Sequence, residues 1–447
     1  MDKGAHFFRC DFQVHSPRDH SWKGKDRVSD EDRKTYAAGL IKACRDKGLG
    51  AIAITDHHDM TFVKYVREAA KEETDEDGGP IDERLRIVVF PGMELTLGIP
   101  CQALLIFDAD FPDDMFSLAM NALALEPNDD GEGKTAEVKR LDHIQSLKSL
   151  KDELDKRSYL RSRYIVLPNV SDGGSATLIR KGLAGKYAEM PCVGGYVDGS
   201  IDKLGDGNKN IIAGKTKDWG HKKIACFQTS DNRQEDHGRL GEHSTWVKWA
   251  KPTAEALRQA CLAQESRVSH EVPQMPSVSI VGIKVSNSAF LGPIDLELNA
   301  QYNALIGGRG TGKSTILEYL RWALCDQPPS IDDEDAPNYQ LRRKRLVEQT
   351  LKPQGATVQV NFVVNDVPHY VRRSSEDGSV QIKIADDELR DCTEEEIRSL
   401  LPIQAYSQKQ LSGVSIRIEE LTRLITTPIR SQLAQAESKI GEAGDRI

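Results

Sequence analysis

Eight residues constrain this chain more than any others: Gly307-Gly308-Arg309-Gly310-Thr311-Gly312-Lys313-Ser314. They fit G-x-x-x-x-G-K-[ST], a phosphate-cradling loop that sits between a strand and a helix. Its glycines let successive backbone N–H groups converge on phosphate oxygens without a Cβ in the way. Lys313 supplies a charge for the β- and γ-phosphates, and Ser314 a hydroxyl for Mg2+. Thr315 opens a helix, expected over 315–324, whose positive end faces the same phosphates. The apolar run 302–306 is expected to be the strand before the loop. The pattern predicts ATP with Mg2+, held by residues 307–314 together with Thr315. The bland alternative, a glycine turn with a surface lysine, is disfavoured by the apolar flanks on both sides.

Composition narrows the class. The chain has 447 residues, 38% hydrophobic and 29% charged, which suits two or three globular domains. No stretch approaches the roughly eighteen apolar residues of a membrane helix. The start, Met1-Asp2-Lys3-Gly4-Ala5-His6, lacks the apolar core of a signal peptide. The 8 cysteines include no C-x-x-C pair, so neither a zinc ribbon nor a disulfide framework is expected. A cytoplasmic protein with no membrane partner is the simple reading. A net charge of -9 gives no general attraction to nucleic acid. The run Arg342-Arg343-Lys344-Arg345 is one local basic patch, although such runs are usually solvated helix faces.

Residues 1–270 read as alternating strands and helices, which predicts an α/β barrel or a doubly wound sheet. Two prolines mark a linker at 271–277. A second domain is expected over 278–428, with a hairpin at 357–364 and 369–373, followed by a helical, coiled-coil-like start over 429–447. In the first domain, four segments end strands with acidic or imidazole groups. They are Asp11-Phe12-Gln13-Val14-His15-Ser16, Thr55-Asp56-His57-His58-Asp59, Pro91-Gly92-Met93-Glu94 and Thr229-Ser230-Asp231-Asn232-Arg233. Such groups at several strand ends suit a barrel metal site, and a metal pair can activate water against a phosphoester. Within Pro17-Arg18-Asp19-His20-Ser21-Trp22, Arg18 is a candidate phosphate contact and Trp22 a candidate base stack. An ordered loop packed by Trp22 is the alternative.

These segments resemble the PHP phosphoesterase domain of histidinol phosphatases and polymerase editing domains. The resemblance implies a distorted (β/α)7 barrel with up to three metals. Carried over position by position, it makes His15, Asp56, His57, Glu94 and Asp231 the catalytic metal ligands, with Gln13 as a further ligand at a usual histidine place. Gln102, Asn169 and Arg233 also replace usual histidines. Amide oxygens suit hard cations better than imidazole-preferring metals, so one or two ions are expected, Mg2+ or Mn2+, with Zn2+ as the other candidate.

The C-terminal part resembles the ATPase heads of the SMC/Rad50-type ABC class. The resemblance rests on Ile294-Asp295-Leu296-Glu297-Leu298, on Asn303-Ala304-Leu305-Ile306-Gly307, and on a Q-loop-like Ile403-Gln404-Ala405-Tyr406-Ser407-Gln408-Lys409-Gln410. It implies that Gln408, or its rivals Gln404 and Gln410, senses Mg2+ and the γ-phosphate. It also implies homodimers formed around ATP. The signature and Walker B motifs, which in that class follow a long coiled coil, are not found after Gln408. The sequence therefore reads as part of a longer protein that binds ATP better than it hydrolyses it. The whole arrangement resembles the TrlF-like PHP–ATPase fusions of bacteria. That implies an ATP-regulated nuclease on DNA or RNA, an antiphage setting, and room for an additional partner protein. Two other readings stay open: a nucleic-acid-binding ATPase whose barrel only recognises or scaffolds, and a small-molecule phosphatase.

Overall fold

The computed structural model describes residues 4–75, 77–126, 133–135, 137–174, 176–326, 338–403 and 405–406. They fall into two compact units that divide between Pro273 and Gln274, each of mixed α/β structure.

The described residues of the first unit form nine strands: β1 (His6–Val14), β2 (Ala51–Ile54), β3 (Val88–Thr96), β4 (Gln102–Phe107), β5 (Tyr164–Pro168), β6 (Gly194–Asp198), β7 (Ala225–Thr229), β8 (Thr245–Trp249) and β9 (Val268–Ser269). Seven of them form one sheet in the order β5-β4-β3-β2-β1-β8-β9, and β6 and β7 form a parallel pair. Bridges join Asn169 to Tyr196 and Val14 to Asn232. The curled half-barrel therefore meets the β6–β7 pair both beyond β5 and at the tip of β1. Every residue of β2, Ala51-Ile52-Ala53-Ile54, is buried, as an interior parallel strand requires. The Asp30–Asp46 helix begins at Ser29, whose side chain accepts from the Asp32 N–H, and Gly48 ends its turn at φ 67°.

Strict strand-helix alternation does not hold. β1, β2 and β3 are parallel, but β3–β4 and β4–β5 are antiparallel. Only residues 97–101 separate β3 from β4, too few for a crossover helix, so the chain turns back as a hairpin. Gly92 permits the close approach of β3 to β4, since a Cβ there would lie 2.7 Å from the Leu105 carbonyl oxygen.

The second unit is an antiparallel sheet of β10 (Val278–Val285), β11 (Ile294–Glu297), β12 (Thr357–Val364), β13 (Val367–Ser374), β14 (Val380–Ile384) and β15 (Arg390–Asp391), in the order β11-β10-β12-β13-β14-β15. The expected hairpin is the β12–β13 pair. The helices Lys313–Ala323, Asn338–Thr350 and Glu394–Leu400 share a core with this sheet through Trp322, Val347 and Ile397 against Val358, Phe362 and Val371. The strand expected at 302–306 is irregular chain, with Tyr302 83% and Ile306 93% exposed. A strand needs a partner for its backbone ladder, and no described strand pairs with this run. The coiled coil expected over 429–447 and the glutamines Gln404, Gln408 and Gln410 lie outside the described residues. No helix among the described residues is long and apolar enough to cross a membrane.

Candidate metal centre and phosphate loop

β1 ends at Val14 and delivers His15 into a buried polar floor. β2 delivers Asp56 and His57, and β3 carries Glu94. The His15 and His57 rings lie nearly parallel, with centroids 5.4 Å apart. On one side, Asp19 Oδ2 is 3.0 Å from His15 Nδ1 and 2.8 Å from His57 Nδ1, and it also accepts the His57 backbone N–H. Asp56 Oδ1 lies 3.9 Å from His15 Nδ1, and the Ser16 backbone N–H and hydroxyl both donate to the Asp56 carboxylate. On the other side, Glu94 Oε2 is 3.5 Å from His15 Nε2 and 3.4 Å from His57 Nε2, and Asp231 Oδ1 is 3.1 Å from His15 Nε2. Asp231 reaches in from just after β7 with φ 48°, a left-handed backbone that is uncommon for a non-glycine residue and aims its carboxylate inward.

Among the described residues, three groups bring their donor atoms within 4.8 Å of one another: His15/His57/Glu94, His15/Asp19/Asp56 and Asp19/His20/His57. Both ring nitrogens of His15 are buried, and neither makes a hydrogen bond of acceptable geometry despite the carboxylate oxygens about them. Donor atoms that crowd without bonding one another are what ligands of a shared cation look like, so the residues fit a divalent metal. Asp19, bonded to His57 Nδ1, leaves His57 Nε2 as the ligating nitrogen, the usual carboxylate–imidazole–metal arrangement.

Electrostatics point the same way. Burial works against charge on His15, but the carboxylates of Asp19 and Asp231 close to its ring nitrogens outweigh it and push the imidazole well above its usual range. Burial likewise opposes charge on Asp19, yet His15 and His57 hold that carboxyl well below its ordinary value. Burial, then the charge of Asp19, pushes Asp56 up to about 7. A floor that crowds carboxylates around a buried imidazole is one into which a cation can enter with release of protons.

Asp19 was missed by sequence reasoning, although it stands four residues after His15 in the same strand-end loop. Its neighbour Arg18 is fully buried and donates to Asp59 at 3.0 Å and to the Gly133 carbonyl at 3.0 Å, so it braces this loop and is not presented to a ligand. Trp22 is buried edge-on against Tyr36 and is a packing residue. Gln13 gives its carbonyl oxygen to the Thr229 hydroxyl and its amide to Glu94. Its amide thus tethers Glu94, and its oxygen already accepts one hydrogen bond. The Gln102 amide is 3.1 Å from His57 Nε2, and Asn169 donates to Asp198 at 3.1 Å while its oxygen accepts from Ser171.

In the second unit, Gly310 and Gly312 take φ 83° and 84°, and a Cβ on Gly312 would lie 2.3 Å from Leu291 Cδ2. Lys313, the first residue of the Lys313–Ala323 helix, folds its ammonium onto the Gly307 and Gly308 carbonyls at 2.7 and 2.6 Å. The charge hovers over the loop formed by Gly307, Gly308, Arg309, Gly310 and Thr311, with Ser314 and Thr315 in the helix's first turn. At the far end, Arg373 donates to the Trp322 carbonyl at 2.7 Å and Arg398 to that of Cys325 at 3.1 Å, while Arg343 bonds the Asp326 carbonyl. Cations there complement the helix dipole. Arg343 is only 5% exposed and bonds Glu318 at 2.8 Å, so one member of the basic run 342–345 is a core residue.

A family model described as an AAA domain matches residues 283–441, so the C-terminal region is an AAA-type ATPase domain. No curated protein matches the chain. Among solved structures, the lesion-specific endonuclease PfuEndoQ from Pyrococcus furiosus is similar at 14% identity, over 62% of this chain and 62% of that one, with a TM-score of 0.39. A putative metal-dependent phosphoesterase from Bifidobacterium adolescentis is similar at 11% identity over 56% of this chain and 94% of that one, TM-score 0.30. A structure from work on ATP-driven dimerization of SMC ATPases is similar at 17% identity over 33% of this chain and 98% of that one, TM-score 0.23. The chain thus spans less than two thirds of the length of the endonuclease it matches.

Proposed function

We propose that the chain is an ATP-regulated, metal-dependent phosphoesterase, specifically a nuclease acting on DNA or RNA. The observation that carries this is His15: a fully buried imidazole, unsatisfied at both nitrogens, shared by two donor groups that each fit a cation. Residues 1–270 are the phosphoesterase and residues 278–428 the first half of an SMC/Rad50-type head.

His15, His57 and Glu94 would hold one Mg2+ or Mn2+, with Asp231 completing that side. Asp19 and Asp56 would hold a second ion beside it. A divalent cation supplies Lewis-acid activation of water and neutralises a leaving oxyanion. The protein's own groups do the positioning. Tyr196 and Gln13 fix the two oxygens of Glu94, and Ser16 fixes both oxygens of Asp56. Residues 307–315, with Lys313 foremost, bind ATP and Mg2+, and Gln408 senses the γ-phosphate. Pairing of two heads around ATP gates the nuclease, in the cytoplasm and, by resemblance to the TrlF-like fusions, in antiphage defence. The test is cleavage of single- and double-stranded DNA and RNA with Mn2+ and ATP. His57→Ala is expected to lower it by about 10²-fold or more, and unchanged cleavage by His57→Ala sinks the assignment.

Amide groups on Glu94 and His57 favour a second reading, in which this unit recognises nucleic acid without cutting it. Asp56→Ala separates the two, since it removes function only if the floor is catalytic.

A further inference from the structure

Arg233 stands apart from the other charged groups of the floor. His15, Asp19, Asp56, His57 and Glu94 are all buried, but the Arg233 and Asp231 side chains are 20% and 22% exposed. They form the mouth above the floor. Arg233 Nε donates to Asp231 Oδ1 at 2.8 Å, the same oxygen that lies 3.1 Å from His15 Nε2, and Arg233 Nη2 is 3.8 Å from Glu94 Oε2. One edge of the guanidinium is thus anchored to the carboxylates of the cluster. Nη1 has no partner among the described residues and is not a buried orphan, so the opposite edge is open at the mouth. Burial works against this charge, but Asp231 and then Glu94 more than offset it, so the guanidinium stays ionised.

A charged fork anchored on one edge and open on the other fits a tetrahedral oxyanion, which it can engage with two parallel N–H···O bonds. A buried acidic floor repels such an anion, and a cation at its rim reverses that repulsion locally. We propose that Arg233 is the phosphate clamp of the site: Nη1 and Nη2 hold non-bridging oxygens of the phosphoester group and set it over the His15/Glu94 side of the floor. This rests on the phosphoesterase reading for its substrate. In a purely structural role, Arg233 would only hold Asp231 in place.

The test titrates inorganic phosphate calorimetrically into the 447-residue chain, with and without saturating Mn2+, alongside metal content by elemental mass spectrometry. The expected result is phosphate affinity at least about tenfold weaker in Arg233→Ala and only partly restored in Arg233→Lys, with metal content equal in all three proteins. Equal phosphate affinity in Arg233→Ala, or no phosphate binding by the unaltered chain, overturns the clamp. So does loss of metal along with affinity in Arg233→Ala, because Arg233 would then be a tether of Asp231. If the unaltered chain takes up no metal, the phosphoesterase reading fails on its own, and the metal-free titration still decides whether the guanidinium binds phosphate.

Discussion

Asp19 joins the two imidazoles of the floor through a single oxygen, 3.0 Å from one and 2.8 Å from the other. Removing its charge takes away the one carboxylate shared by both Nδ1 atoms and loosens the hold on the His57 ring. Asp19→Asn is therefore expected to weaken metal binding by about 10- to 100-fold, read by competition with a chelating dye, and affinity equal to the unaltered chain's contradicts the role given to it. Residues of this kind explain what sequence could not reveal. The structure brings together His15, Asp56, His57, Glu94 and Asp231, which the sequence put forward from their order along the chain, although Glu94 lies inside β3 and not at a strand end. Asp19 was not among them, because its importance comes from a loop that folds back over both histidines. The contacts of Gln13 were hidden for a related reason: its amide oxygen meets Thr229, 216 residues away in sequence.

At the scale of elements, local chemistry was the more reliable guide. The buried run of β2, the Ser29 cap and the β12–β13 hairpin follow from patterns confined to a few residues. The antiparallel turn from β3 to β4 and the irregular run at 302–306 depend on what lies alongside, which periodicity does not report. The same contrast marks the phosphate loop. Its motif was unambiguous, but the arginines at the far end of its helix come from three separate segments. Arg343→Ala takes from Glu318 one of its two arginine contacts, Arg321 keeping the other at 3.3 Å, and removes a donor to the Asp326 carbonyl. A loss of about 2 kcal/mol in the second unit's stability is expected from removing charged hydrogen bonds in a buried place. Thermal or urea unfolding checks it, and a midpoint equal to that of the unaltered chain contradicts it. Gly312→Ala strains a φ of 84° and presses on Leu291. It is expected to weaken ATP binding sharply, measured by fluorescent-nucleotide titration, and unimpaired binding is the adverse result.

For the molecule as a whole, the two proposed chemistries belong to two separate units. Lys313→Ala is expected to abolish ATP binding while leaving metal content intact, and Asp56→Ala to do the reverse. If either change removes both properties from a chain that is still folded by circular dichroism, the division of labour is wrong. The central claim is that the floor built on His15 holds divalent cations, and metal stoichiometry by elemental mass spectrometry tests it most directly, with an Asp56→Ala/His57→Ala double variant as control. One or two metals per chain, lost in the double variant, is the predicted result. No metal in the unaltered chain, or the same amount in both, would mean that the floor holds no cation.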